Sequence, residues 1–230
     1  MNLKLVAAAG SLALAGAFTS VTYAQVAPST QAFMDANAAM HAAMMITYSG
    51  NSDVDFVHGM VPHHQGAVAM AMIELEYGTA PELRMLAETI IAAQEAEIGQ
   101  MQAWIEMNAP SAPAAEHAGH EGAPTDPAPA ASEHAGMDMT GPMGDQGESS
   151  HAFFDANARM HEAMDVGFTG NADVDFARSM IPHHQGAIDM AMIELEYGSD
   201  HDLHALAEMI IAAQQEEITA LQSWLAENAP

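Results

Sequence analysis

The sequence predicts an all-α fold made of two homologous helical repeats, and three observations support this prediction. Residues 31–110 align with residues 151–230 at a constant offset of 120, with about 48 of 80 positions identical. Apolar residues recur in each repeat at helical spacing, and no segment alternates like a strand. Residues 111–150 are rich in Ala, Pro, Gly and Ser, which is typical of a flexible linker. We therefore expect two helical domains joined by a tether.

Each repeat is predicted to contain three helices. The first spans about residues 31–47 and ends at the turn signal Ser-Gly-Asn. The second begins at Asp53, a favourable N-cap, and ends before Gly78, which is expected to serve as a left-handed C-cap. The third spans about residues 81–108, because it opens on a proline, which is favoured in the first turn of a helix. The second repeat carries the corresponding signals 120 residues later.

The N-terminus predicts a secretory signal peptide over residues 1–24. Lys4 precedes an apolar stretch, and small residues stand at the cleavage positions before Gln25. We expect cleavage after Ala24, with the Ala-Gly-Ala at residues 15–17 as the alternative. An uncleaved anchor is a second interpretation, although the apolar run is short for a membrane span. The protein is therefore predicted to be periplasmic or secreted, with no membrane contact after cleavage.

The charge balance and the lack of cysteine restrict the chemistry. Four Lys and Arg residues stand against 31 Asp and Glu residues, which gives a formal net charge of −27. Such a surface repels nucleic acid and anionic lipid and attracts cations, although the charge alone is equally consistent with simple solubility. Because no cysteine is present, disulfides and thiolate ligands are excluded. A soft metal would have to bind to thioether and imidazole groups.

Histidine and methionine cluster on one face of the second predicted helix. Met60, His63 and His64 fall within an arc of about 100°, and Met70 lies just beside it. Pro62 is expected to kink the helix where the histidines begin, because it lacks a backbone donor and crowds the preceding turn. This face is the one that should be buried, so the side chains are placed as a candidate ligand wall.

A matching group on the first helix completes the candidate site. Met40, His41 and Met44 also fall within about 100°, so antiparallel packing would bring up to four thioethers and three imidazoles together. Thioether sulfur selects monovalent copper, or silver as its mimic, and imidazole widens the range to divalent copper, zinc and nickel. All seven positions recur 120 residues later. The predicted metal ligands are Met40, His41, Met44, Met60, His63, His64, Met70, Met160, His161, Met164, Met180, His183, His184 and Met190.

Methionine at helical spacing also fills cores, so the remaining methionines need another interpretation. We assign Met72, Met101 and Met107 to packing. Three methionines without a methionine counterpart in the other repeat are expected to be dispensable: Met34, Met45 and Met85. In the linker, where no core is expected, exposed methionine and histidine are weaker candidate ligands, with a spacer of no function as the alternative. They are His117, His120, His134, Met137, Met139 and Met143.

These motifs carry a family resemblance. The run DVDFVHGMVPHHQGAVAMA, followed by LRMLAETIIAAQEAEIGQMQAWI, resembles the domain of unknown function 305 family, nearly end to end in each repeat. The resemblance implies a ferritin-like helical bundle and an exported protein that binds monovalent copper and silver and supports metal tolerance. It implies Met60, His63, His64 and their copies as the metal-binding core, completed by Met40, His41, Met44 and their copies. Because each repeat has three predicted helices rather than four, a fourth is expected from the other repeat or from another molecule.

The predicted function is sequestration or handover of monovalent copper, with metal ions and another periplasmic copper protein as partners and no catalysis. A non-metal structural or partner-binding helical protein is the alternative. A ferritin-like oxidase would need Glu-x-x-His on two helices plus two further glutamates, and the chain does not carry two such motifs. A zinc hydrolase would need His-Glu-x-x-His, which the sequence also lacks.

Overall fold

The computed structural model describes residues 26–108 and 141–229, and most of these residues are helical. The six helices are α1 Pro28–Ala43, α2 Ser52–Tyr77, α3 Pro81–Asn108, α4 Glu148–Ala163, α5 Ala172–Tyr197 and α6 His201–Asn228. We call α1–α3 the first half and α4–α6 the second half. Each half contains helices of 16, 26 and 28 residues, in that order. The all-α prediction is confirmed.

The caps of α2 differ from the sequence prediction. Asn51, not Asp53, caps the helix, because its side chain accepts a hydrogen bond from a first-turn amide at 3.3 Å. Gly78 is not a left-handed C-cap, since its backbone is extended, with φ −72° and ψ 151°. A Cβ at this position would collide with the Glu74 carboxylate. The position needs glycine for space rather than for a left-handed conformation.

A short parallel strand pair forms where no strand was expected. The strand β1, Thr47–Tyr48, pairs with β2, Met143–Gly144. The first helix therefore ends at Ala43, four residues before the predicted end, and α4 begins at Glu148 inside the segment assigned to the linker. The sequence pattern missed both changes, because a two-residue strand is too short to alternate.

The two halves pack against each other through α2 and α5, with α3 beside α2, α6 beside α5, and α1 and α4 lying over the central pair. The central helices are antiparallel, because the start of each contacts the turn that follows the other. Asp53 accepts hydrogen bonds from the amides of Ser199 and Asp200 at 2.8 and 2.9 Å. Asp173 accepts two amides of the α2–α3 turn, both at 2.8 Å. Each half thus packs its 26-residue helix against the equivalent helix of the other half.

The core lies along this central pair of helices. Phe56, Met60, Phe176 and Met180 are all fully buried. Burying a side chain of this size stabilises the folded state by about 1.5–3 kcal/mol. Within residues 26–108 and 141–229, no helix is long and apolar enough to cross a membrane. The predicted signal peptide, residues 1–24, lies outside the described residues.

Candidate metal centre

Four imidazoles meet in two pairs where the halves face each other. The rings of His63 and His183, both fully buried, have their centroids 3.8 Å apart at an angle of 50°. The rings of His41 and His161 are stacked, also 3.8 Å apart, at 27°. We call these four residues the axial histidines. The sequence grouped each with the methionines of its own repeat, whereas the structure pairs each histidine with its counterpart in the other half.

Burial keeps the axial histidines neutral. Desolvation, and then the neighbouring histidines, hold the pKa values of His63 and His183 well below the usual range. Desolvation, together with repulsion from His41, lowers the pKa of His161 to about 4. Desolvation also lowers the pKa of His41. A neutral imidazole keeps the lone pair that a metal ion requires.

Several ring nitrogens of the axial histidines have no hydrogen-bond partner among the described residues. His183 Nε2 lies 3.1 Å from the backbone oxygen of His63, and because a carbonyl only accepts, Nε2 must carry the proton. The lone pair of His183 is then on Nδ1, which is buried and unpartnered. Both ring nitrogens of His63 and the Nε2 atoms of His41 and His161 are likewise buried and unpartnered. Buried polar atoms are normally paired, so this concentration indicates a site that binds a ligand.

The other two predicted histidines are each held by a glutamate. His64 Nε2 lies 2.7 Å from Glu97 Oε2 and forms a hydrogen bond with it. His184 Nε2 lies 2.9 Å from Glu217 Oε2, but the two groups are not aligned for a hydrogen bond. Both rings are fully buried. With Nε2–H donating to Glu97, the lone pair of His64 is on Nδ1, which has no partner in the described part of the chain. A carboxylate that orients a histidine in this way is a common feature of metal sites.

All eight methionines predicted as ligands are buried, at 0–4% exposure. The thioether of Met40 packs directly over Gly66, since a Cβ there would stand 2.5 Å from the sulfur, and the same contact recurs in the second half. Met190 reaches across the halves, because its methyl group would stand 2.9 Å from a Cβ on Gly59. Burial is also what core packing requires, so their role as ligands stays a prediction.

A surface groove of about 420 Å³ gives solvent access to one axial pair. Met34, which was expected to be dispensable because the other repeat has no methionine at this position, lines the groove and is 47% exposed. The Oδ1 atom of Asn37 in the groove wall is buried, with no partner among the described residues. The groove thus combines imidazole, thioether and amide groups. Its lining includes Met34, Asn37, His41, His161, Met164 and Asp165.

Sequence reasoning missed the polar residues that α3 and α6 contribute. Gln94 and Gln214 are each 2% exposed, and neither amide has a partner within the described ranges. Glu97 and Glu217 hold the histidines described above. The available signal was that both positions recur unchanged 120 residues apart on helices whose inner face is otherwise apolar.

The methionines assigned to packing divide into two groups. Met101 is fully buried, so its assignment is confirmed, but Met72 and Met107 are 60% and 75% exposed, so theirs is wrong. Met72 lies on the solvent side of α2, between the buried side chains of Ala71 and Ile73. Of the linker candidates, Met143 is half-buried in β2, and the other five lie outside the described residues.

The structure also bears on whether His, Asp and Glu side chains alone could form a site for a hard metal ion. Among the described residues, no group of three or more His, Asp or Glu side chains could hold a metal ion. The one Glu-x-x-His motif in the sequence runs from Glu148 to His151, and both residues are exposed at the start of α4. A di-iron site requires inward-facing pairs on two helices. A site with three or more ligands in this region would have to add thioether sulfur to imidazole.

Comparisons with known proteins give one family match and several similar solved structures. The model of the domain of unknown function 305 family (DUF305) matches residues 53–225. The solved structure of CopM in the Cu(I)-bound form is 28% identical with a TM-score of 0.50, over 77% of this chain and 98% of that chain. The Ag-bound form of CopM is 27% identical with a TM-score of 0.49 over the same shares. A DUF305 fragment from Deinococcus radiodurans is 27% identical with a TM-score of 0.48, over 76% of this chain and 96% of that chain. The comparison with curated proteins gave no match.

Proposed function

The chain belongs to the domain of unknown function 305 family, and on that premise we propose that it binds monovalent copper, with silver as a mimic, between its two halves. The observation that carries the proposal is the set of buried imidazole nitrogens that have no partner among the described residues. Thioether and neutral imidazole together select a soft monovalent ion over hard cations. The similarity to Cu(I)-bound CopM supports this choice of metal.

The axial histidines and the buried methionines have different parts in this function. His63 and His183 would bind the ion deepest in the protein, where water cannot compete. His41 and His161 would receive it from solvent, because their groove is open. The net charge of −27 concentrates cations around this entrance. The two halves, which carry the same histidine and methionine positions 120 residues apart, would therefore share one ligand region across their interface.

The biological role we propose is sequestration or handover of copper outside the cytoplasm, in support of metal tolerance. Residues 1–24 have the pattern of a signal peptide, and copper in an exported compartment must be bound or passed on. Another periplasmic copper protein would serve as donor or acceptor. Binding, with no chemical conversion of a substrate, is sufficient for this role.

A competition titration with a Cu(I) chelator tests the proposal, with zinc and ferrous iron titrated in parallel. The His63→Leu/His183→Leu variant removes the deep imidazoles and keeps apolar packing. We expect fewer Cu(I) ions bound per chain and an unchanged helical circular dichroism signal. The control is His201→Ala, whose side chain is 98% exposed. Zinc-only binding by the wild type, or an unchanged Cu(I) count in the double leucine variant, would refute the proposal.

A further inference from the structure

A second group of soft side chains lies on the surface, away from the axial histidines. The end of α3 and the start of α6 enclose a groove of about 420 Å³, whose lining includes Trp104, Met107 and Met209. Met107 is 75% exposed and Met209 is 53% exposed. Core packing therefore does not explain these two thioethers, which come from different halves and face the same space.

The indole ring in this groove is held in a fixed position. Trp104 Nε1–H donates to Asp200 Oδ2 at 2.9 Å. Asp200 is itself fixed as the N-cap of α6, since it accepts the amides of Asp202 and Leu203 at 2.9 and 3.0 Å. The ring is anchored at its polar edge, and the side chain forms part of the groove lining. An anchored indole face can attract a cation without the loss of side-chain freedom that a mobile ring would incur.

The corresponding positions in the other repeat lack these features. Trp224 corresponds to Trp104, but glutamate and threonine replace the two methionines, and alanine replaces the aspartate that anchors the indole. Both thioethers and the anchor therefore occur together at one end only. The replaced positions are Met107 by Glu227, Met209 by Thr89 and Asp200 by Ala80.

We propose that Trp104, Met107 and Met209 form a surface site for a soft monovalent cation, copper(I) or silver(I), separate from the axial histidines. Two neutral thioethers supply soft ligands, and the indole face supplies cation–π attraction. Asp200 and Asp202 raise the local cation concentration. None of the three binding groups takes up a proton at moderately acidic pH, so the affinity of the site should not fall between about pH 7 and 5. The site does not depend on the axial histidines.

Tryptophan fluorescence tests the site directly, because the chain contains two tryptophans, one at each end. In Trp224→Phe only Trp104 emits, and in Trp104→Phe only Trp224 emits. Silver(I) added at about pH 5 should quench the emission of Trp104 and leave that of Trp224 unchanged. Equal quenching of both tryptophans, or no response of Trp104, would overturn the proposal.

Methionine variants then identify the ligands in the Trp224→Phe background. Met107→Leu/Met209→Leu should raise the silver concentration for half-maximal quenching by about tenfold or more. The matched control is Met72→Leu/Met85→Leu, which replaces two methionines of 60% and 63% exposure outside the groove and should leave the response unchanged. Quenching that survives in the groove variant, or that is lost equally in the control, would overturn the assignment. Neither result would alter the Cu(I) count at the axial histidines, so the two sites fail or succeed separately.

Discussion

Two buried glutamates should make the protein less stable as the pH rises. Glu74 and Glu194 are fully buried near the ends of α2 and α5. Burial, together with the hydrogen bond to and the charge of Asp173, raises the pKa of Glu74 to about 8. Burial, together with Asp53, raises the pKa of Glu194 to about 8 in the same way. Each glutamate is thus expected to stay protonated up to about pH 8, close to an aspartate at the start of the opposite central helix.

The size of the effect follows from these pKa values. Because the folded pKa lies above the unfolded value of 4.5, this stability is fully present below about pH 4.5 and is lost as pH rises through about 8. At 1.36 kcal/mol per pH unit, each glutamate would lose about 2 kcal/mol between about pH 6.5 and 9. Both lie near the ends of helices, where solvent screening reduces this to about 1 kcal/mol, or about 2 kcal/mol for the pair.

Urea unfolding followed by circular dichroism, at steps from about pH 6.5 to 9, measures the loss. This range isolates the glutamates, because the axial histidines have lowered pKa values and act below their unfolded value of 6.5. The Glu74→Gln/Glu194→Gln variant keeps a side chain of the same shape that does not titrate, so its free energy of unfolding should not change over this pH range. Glu88→Gln, at an exposed position, is the control and should follow the wild type. A flat wild-type profile, or an unchanged slope in the double variant, would refute the reasoning.

Three further predictions concern packing, capping and acid. Gly66→Ala should lower the free energy of unfolding by about 1–3 kcal/mol, because the new methyl group displaces the Met40 thioether. Gly99→Ala is the control, because a methyl group there would have no atom within 4 Å, and it should raise the free energy of unfolding by about 0.5–1 kcal/mol. Thermal or urea unfolding measures both. Asp53→Ala should cost about 1–3 kcal/mol by the same measurement, because the amides that open α6 lose their acceptor. In the Glu74→Gln/Glu194→Gln variant, where the glutamates no longer titrate, stability should fall as pH drops below about 6.5, because His63 and His183 take up protons more readily in the unfolded state than in the folded one. A thermal midpoint of that variant that is constant from about pH 7 to 5 would contradict this.

The helices could be predicted from local patterns, and the exceptions have local causes. The third helix was predicted with its observed bounds, since Pro81 opens it and apolar spacing continues to Asn108. Gly78 was misassigned because glycine satisfies a left-handed turn and a close approach equally well, and only the position of Glu74 decides between them. The axial pairs could not be predicted, because helical spacing fixes which face is buried but not which helix covers it.

The candidate site shows the same division. The burial of Met60 and His63 follows from helical periodicity, and the structure places both inside. The contact of His64 with Glu97 joins residues 33 positions apart on different helices, so no local sequence motif predicts it. Met107 was assigned to packing because its spacing fits the apolar face, yet its side chain is 75% exposed near the end of α3. Periodicity predicts which face of a helix is apolar, but not whether another element covers that face at every turn.

The crossed contacts of Asp53 and Asp173 have a consequence for assembly. Each aspartate closes a turn in the other half, more than 90 residues away, through closely similar hydrogen bonds. Each half therefore uses the same surface to contact the other, as the two subunits of an isologous dimer do. A molecule that contained one half alone would present a surface that fits a second copy of itself. Two full chains could likewise exchange halves and close the same contacts between molecules. At high concentration we therefore expect a domain-swapped dimer whose helices and turns are indistinguishable from those of the monomer.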